Sequence, residues 1–154
     1  MGPRPSRKFL IIAFAVVLLD QGSKYLVKTF LPPGTMLELI PGLFSLVHVN
    51  NTGVAFGLWA NHSQILRYLL SGVNLWAVLI LFWLARKGTD KTALACGLIA
   101  GGALGNLIDR IGQGHVLDFL DFHWGPYHWP AFNLADSAIT IGVFIMLLLS
   151  LRQD

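Results

Sequence analysis

Acidic side chains interrupt or flank the apolar segments of this sequence. Asp20 stands inside the first apolar segment, Asp136 inside the last, and Asp118 and Asp121 in the connection before it. An ionisable side chain near the centre of a membrane span costs about 2.5 to 3.5 kcal/mol, so each is a candidate functional group. Two carboxyl groups brought close together share a proton, and one can then activate water while the other protonates a carbonyl oxygen. That is the chemistry of an aspartic peptidase.

Amide and basic side chains accompany these acids at helical spacing. Asn106, Asp109 and Arg110 fall on one face of the third apolar segment, and Asn133 precedes Asp136 by three residues on the fourth. All of them fall at one depth, in the outer half of the predicted spans. A single arginine cannot neutralise all of these acids, so we expect at least one carboxylate to serve another purpose.

Plainer roles stay open for two of the polar groups. Arg110 lies near a helix end, where its side chain could reach the interface or neutralise a neighbouring acid. Asp20 and Lys24 could form an ordinary ion pair one helical turn apart.

Other site chemistries have weaker support. Cys96 lies deep in the third apolar segment, where no histidine accompanies it. The histidines of the last connection lack the HExxH pattern or a helical i,i+4 pair, which zinc sites on helices use. These are His115, His123 and His128. We therefore expect no metal and no cofactor.

The composition indicates a membrane protein and makes a soluble enzyme improbable. Of the 154 residues, 55% are hydrophobic and 12% charged, against about 25% charged in soluble proteins. Four segments reach the about 20 residues that cross a bilayer as a helix. A cleaved signal peptide is the alternative for the first, but no small-residue cleavage site follows it. We predict an all-α integral membrane protein with four transmembrane helices, at about 9–30, 66–86, 92–112 and 132–151.

The basic residues predict the orientation of these spans. With both termini on the cytoplasmic side, the inner segments carry most of the positive charge, as membrane topology requires and nucleic-acid binding does not. These residues are Arg4, Arg7, Lys8, Arg86, Lys87, Lys91 and Arg152. The acids then face the extracytoplasmic side. Of the outer connections, 31–64 has the turn punctuation of a small β-element, and 113–131 is predicted to be a loop carrying interfacial aromatic residues.

Small residues predict how the third span packs. Gly97, Gly101 and Gly105 recur every four residues, which lets another helix approach closely. A nucleotide-binding glycine loop would need a preceding strand, and none is predicted.

Transport is the alternative functional class, because intramembrane acids also form proton or ion relays. A relay needs polar groups across the whole membrane, whereas the second span offers only Ser71 and Asn74, and no acid lies near the inner face. A non-enzymatic membrane assembly factor is a third class, and it would have no use for paired acids.

Five segments of the chain resemble the signal peptidase II family, in the same order along nearly the whole length. One departure is Val54, where the family commonly has alanine. The matching segments are 20–24 (DQGSK), 51–57 (NTGVAFG), 101–110 (GGALGNLIDR), 116–119 (VLDF) and 132–136 (FNLAD).

The resemblance implies an intramembrane aspartic endopeptidase that removes signal peptides from diacylglyceryl-modified prolipoproteins, cutting before the lipidated cysteine. It implies that Asp118 and Asp136 are catalytic; Asp121 is the alternative for the first of these. Residues implied to bind substrate or support the pair are Asp20, Asn51, Asn106, Arg110 and Asn133.

The resemblance also implies the setting of the protein. We expect a multi-pass monomer of the bacterial cytoplasmic (inner) membrane, with an interfacial helix beside the β-element. Its expected partners are prolipoprotein substrates and membrane lipids, and not nucleic acid.

Overall fold

Four helices form most of the computed structural model, which describes residues 5–53 and 63–151. Residues 54–62 lie outside the described residues; they include Val54 and part of the stretch 31–64 that is expected to hold the β-element and the interfacial helix. The helices are α1 (Pro5–Phe30), α2 (Ser63–Lys87), α3 (Asp90–Gln113) and α4 (Leu134–Ser150). Three of them are long and apolar enough to cross a membrane, and α4 is a shorter apolar helix of 17 residues.

Helix α3 lies at the centre of the bundle and packs against each of the other three helices. Its glycines make this possible. A Cβ at Gly101 would lie 2.8 Å from the Ala13 carbonyl oxygen of α1, and one at Gly102 would strike the Ala135 carbonyl oxygen of α4. The prediction that the glycine stripe serves close helix packing is confirmed.

A small antiparallel sheet lies at one end of the bundle, in the order β1-β2-β3-β4. Its strands are β1 (Met36–Ile40), β2 (Phe44–Asn51), β3 (Val116–Trp124) and β4 (Tyr127–His128). The first two fall within the expected β-element. Strand β3 falls where the sequence predicted a loop: its first four residues are all buried, so its pattern lacks the alternation of a half-exposed strand.

The apolar side chains are divided between two interiors. A cluster around Phe9, Leu81 and Cys96 fills one end of the helix bundle, and a second around Val27, Leu117 and Phe119 lies under the sheet. Many other large apolar side chains are exposed along the helices, and α2 is hardly buried at all. A bilayer would cover such faces, whereas water would not.

Candidate functional site

Asp118 and Asp136 meet where strand β3 passes the beginning of α4. Asp118 is 3% exposed and Asp136 is half-buried. Asn133 joins them: its side-chain amide donates to Asp118 Oδ1 at 2.7 Å, and its backbone N–H donates to Asp136 Oδ2 at 3.2 Å. The two carboxyl groups are therefore held by one residue.

The start of α4 explains why Asp136 lies there. Asn133 is the N-cap, in an extended conformation, and its side-chain oxygen accepts the Asp136 backbone N–H at 2.9 Å. The Asp136 carboxylate in turn accepts the Asn133 backbone N–H. This reciprocal capping box satisfies two backbone donors at the helix end, and its negative charge suits the helix dipole.

Each of the four carboxylate oxygens of the pair accepts a hydrogen bond. Besides the two bonds from Asn133, Asn51 Nδ2 donates to Asp118 Oδ2 and Asn106 Nδ2 donates to Asp136 Oδ1, both at 2.9 Å. Asn51 ends strand β2 and Asn106 lies in α3. The site is thus assembled from the sheet, the central helix and the α4 cap.

Asn51 is itself oriented by the turn that follows it. Its side-chain oxygen accepts the Gly53 backbone N–H at 2.8 Å, which directs its NH₂ group towards Asp118. Gly53 has a φ of +79°, and a Cβ there would lie 2.8 Å from the Leu70 side chain. Both observations favour glycine at this position.

The environment makes Asp118 a carboxyl group that holds a proton unusually well. Its pKa is raised from the ordinary 3.8 to about 6, chiefly by burial and also by the negative charge of Asp136. The hydrogen bonds from Asn51 and Asn133, and the positive charge of Lys24, act in the opposite direction. Asp118 can therefore take up or release a proton near neutral pH.

A buried ion cluster supports the pair from α1. Lys24 Nζ lies 2.8 Å from both Asp20 Oδ2 and Asp109 Oδ2, and all three side chains are buried. Gln21 donates to both carboxylates, and the Ala135 backbone N–H of α4 donates to Asp20 Oδ1 at 3.0 Å. These bonds offset the cost of burying one more negative charge than positive.

The cluster is joined to the pair through Asn106. Lys24 Nζ donates to Asn106 Oδ1 at 3.2 Å, while Asn106 Nδ2 donates to Asp136. An ordinary pair between Asp20 and Lys24 is one of the expectations from the sequence. The structure contains that pair, and it adds Asp109 to it.

Arg110 and Asp121 stand apart from this network. The Arg110 side chain is half-buried and makes no hydrogen bond or ion pair among the described residues, although its charge lies near Asp136 and Asp118. Asp121 is buried and pairs with His128 Nδ1 at 2.9 Å. Of the two acids on β3, Asp118 is the one that shares partners with Asp136.

The sequence did not predict the ion cluster around Lys24, nor the bonds that Gln21 makes to its two carboxylates. Both residues lie in the matching segment 20–24, and only an ordinary pair with Asp20 was expected of Lys24. A signal was present: Lys24 lies one turn from an acid inside an apolar helix, where a lysine must find partners.

A cavity of about 370 Å³ opens beside Asp136. Most of its wall is apolar or aromatic, and two residues with hydroxyl groups also line it. Its other lining residues are Trp129, Phe132, Ser137, Thr140 and Ile141. An apolar ligand with a central polar group, such as a peptide bond, would match this wall.

Comparison with solved structures defines the class of protein. A structure described as a bacterial membrane enzyme matches this fold with a TM-score of 0.84 and 31% identity, over 95% of this chain and 94% of that one. Another of the same description matches with a TM-score of 0.81, also at 31% identity, over 94% of this chain and 87% of that one. The fold is that of a bacterial membrane enzyme.

Sequence comparison identifies the family. The model of the signal peptidase II family matches residues 12–152. The lipoprotein signal peptidase of Nitratidesulfovibrio vulgaris (strain DP4) is 45% identical over 96% of this chain and 91% of its own length. That of Syntrophotalea carbinolica is 44% identical over 96% and 92%. The chain belongs to the signal peptidase II family, so the resemblance is confirmed; membership indicates a peptidase of the bacterial membrane.

Proposed function

We propose that this protein is an intramembrane aspartic endopeptidase that removes the signal peptide from diacylglyceryl-modified prolipoproteins, cutting before the lipidated cysteine. The observation that carries the proposal is the pair of Asp118 and Asp136, fully hydrogen-bonded beside an apolar cavity. Family membership supports the substrate class.

The reaction uses one water molecule and one shared proton. The ionised carboxylate takes a proton from water as the water oxygen attacks the scissile carbonyl carbon, and the protonated carboxyl group gives its proton to the developing oxyanion. The C–N bond then breaks: the leaving amine takes a proton from one carboxyl group, and a hydroxyl group of the diol returns a proton to the other, which restores the shared proton and leaves a carboxylic acid product. The raised pKa of Asp118 favours it as the carboxyl group that holds the shared proton.

The surrounding residues have distinct roles in this proposal. Asn51, Asn106 and Asn133 fix the orientation of the two carboxyl groups, since they supply three of the four donors from side chains. Asp20 holds the first turn of α4 in place through the Ala135 N–H. The Arg110 side chain, with no hydrogen bond among the described residues, is placed to bind a substrate carbonyl group.

The cavity accounts for the apolar part of the substrate. The signal peptide occupies the space beside Trp129, Phe132 and Ile141, while the diacylglyceryl chains stay in lipid. The carbonyl group of the scissile peptide bond then lies against Asp136.

We further propose that all four helices cross the bacterial cytoplasmic (inner) membrane, with both termini in the cytoplasm and the sheet outside, as a monomer. At 1.5 Å per residue the 17 residues of α4 span about 25 Å, close to the hydrocarbon thickness. Basic residues at the inner helix ends and exposed Trp124, Tyr127 and Trp129 beside the sheet support this orientation.

Proton- or ion-coupled transport has less support. The polar network lies between Asp20 and the sheet, and the opposite end of the described bundle is filled by the apolar cluster of Phe9, Leu81 and Cys96. A relay through that cluster would have no polar steps.

The test of the proposed function is identification of the cleavage product. The purified full-length protein in detergent is mixed with a diacylglyceryl-modified prolipoprotein, and with the same substrate lacking the lipid. Mass spectrometry should find an intact signal peptide and a product that begins at the lipidated cysteine, from the modified substrate alone. If the folded protein leaves the modified substrate intact, or cuts at another bond, the proposal is wrong.

A further inference from the structure

The ammonium group of Lys24 has a complete set of three partners. The side chain is 1% exposed, and Nζ donates to Asp20 Oδ2 at 2.8 Å and to Asn106 Oδ1 at 3.2 Å. Its third neighbour is Asp109 Oδ2, at 2.8 Å. A lysine ammonium has three N–H donors and cannot accept a hydrogen bond. Each donor is therefore matched by one oxygen.

This geometry decides which way the Asn106 amide faces. An NH₂ group turned towards Lys24 would place donors against donors, so the carbonyl oxygen must face the ammonium. The Asn106 NH₂ group is thereby directed at Asp136 Oδ1, to which it donates at 2.9 Å. The Asn106 carbonyl oxygen has one other donor, Asn133 Nδ2, at 3.3 Å, and that NH₂ group is shared with Asp118 Oδ1 and the Leu117 carbonyl. Lys24 is the partner that carries a full charge.

We propose that Lys24 is a positioning residue for the peptidase reaction, acting on Asp136 by fixing the orientation of the Asn106 amide. The inference rests on the proposed function. Lys24 does not touch the catalytic pair through any hydrogen bond, and Asn106 is the group that connects them.

Removal of Lys24 would favour the opposite orientation of the amide. The carboxylates of Asp20 and Asp109 would lose a common donor, and the nearby Asn106 NH₂ group could turn towards them. The Asn106 oxygen would then face the Asp136 carboxylate, acceptor against acceptor. The pair would lose one of its four donors and gain a repulsive neighbour.

The first experiment separates kcat from KM. Lys24→Met keeps much of the side-chain volume and removes the charge. We expect kcat for the lipid-modified substrate to fall about 10- to 100-fold, the effect of losing a hydrogen bond to a charged group. KM should stay within about twofold, because substrate contacts are unchanged.

Gln21→Leu is the matched control. Gln21 contacts the same two carboxylates, Asp20 and Asp109, but has no bond to Asn106. It should lower the melting temperature and leave the kcat of the folded protein within about twofold of wild type. If Lys24→Met also melts lower but keeps the wild-type kcat, Lys24 is only structural and the inference is overturned.

A double-mutant cycle with Asn106→Ala tests whether Lys24 acts through Asn106. The combined variant should have the same kcat as Asn106→Ala alone, because the residue on which Lys24 acts is missing. Multiplied losses would contradict the inference. If Lys24→Met alone folds poorly, the cycle is run with Asp109→Asn in every member, so that the members with Lys24→Met lose one charge of each sign.

The two levels of failure are distinguishable. If the folded wild-type protein cuts no modified substrate, the proposed function fails. If the wild type cuts and Lys24→Met cuts with the same kcat, the function stands and only the role of Lys24 fails.

Discussion

Replacement of Asp118 by asparagine should change how the stability of the folded protein depends on pH. The carboxyl group is 3% exposed, and burial is the largest of the effects that raise its pKa from 3.8 to about 6. The charge of Asp136 adds to the rise. Asparagine has nearly the same shape and does not ionise, so the variant isolates the titration of Asp118.

The sign follows from linkage. A carboxyl group with a higher pKa in the folded than in the unfolded protein binds its proton more tightly when folded. Its contribution to stability is fully present below about pH 4 and is lost as pH rises through about 6. At about 1.4 kcal/mol per pH unit, the rise from 3.8 to about 6 corresponds to about 3 kcal/mol.

The assay is thermal unfolding of both proteins in detergent between about pH 4 and pH 8. From the lower to the upper pH limit, the free energy of unfolding of the wild type should fall by about 3 kcal/mol relative to that of Asp118→Asn. For a chain of this size, this corresponds to about 6 to 12 °C in melting temperature. Asp90→Asn, at an exposed position, controls for general effects of pH. If melting temperature depends on pH in the same way for wild type and Asp118→Asn, the pKa of Asp118 is not raised in the folded protein.

Two further predictions concern packing and the amide donors. Gly102→Ala should lower the melting temperature, with a loss of about 1 to 3 kcal/mol, because its Cβ would strike the Ala135 backbone carbonyl. Gly112→Ala is the control on the same helix: its Cβ would meet open space, so the melting temperature should stay the same or rise. Equal losses of melting temperature in the two variants would contradict the close approach of α3 and α4. Asn51→Ala removes a donor from Asp118 and should reduce kcat about tenfold or more. A wild-type kcat for this variant would show that the bond has no part in the reaction.

Local patterns were sufficient for the helices and insufficient for part of the sheet. Long apolar runs with turn residues at their ends identify helices, because these signals lie within each segment. Strand β3 depends on its pairing with β2, which joins residues far apart in the chain. Val49, for example, pairs with Asp118. Asp118 and Asp121 also interrupt its apolar run, so no local signal marked it as a strand.

The candidate site could be predicted in its residue types and only partly in its contacts. Asp118, Asp136 and the asparagines attract notice because polar groups are costly in a membrane, and the family resemblance selected among them. The sequence does not predict which basic side chain pairs with the buried acids. Neutralising a neighbouring acid was one open role for Arg110, but Lys24 is the cation that pairs with Asp20 and Asp109. This ion cluster depends on Gly105, because the absence of a side chain there lets Asp20 approach α3.

The catalytic role of the two carboxyl groups is decided by the initial rate at which wild type, Asp118→Asn and Asp136→Asn cleave a diacylglyceryl-modified prolipoprotein. Asp121→Asn is the matched control, since Asp121 is also a buried acid of β3 but pairs with His128 outside the site. Wild type and Asp121→Asn should cleave the substrate, and the other two folded variants should not cleave it above background. Cleavage at the wild-type rate by Asp118→Asn and Asp136→Asn would contradict that catalytic role.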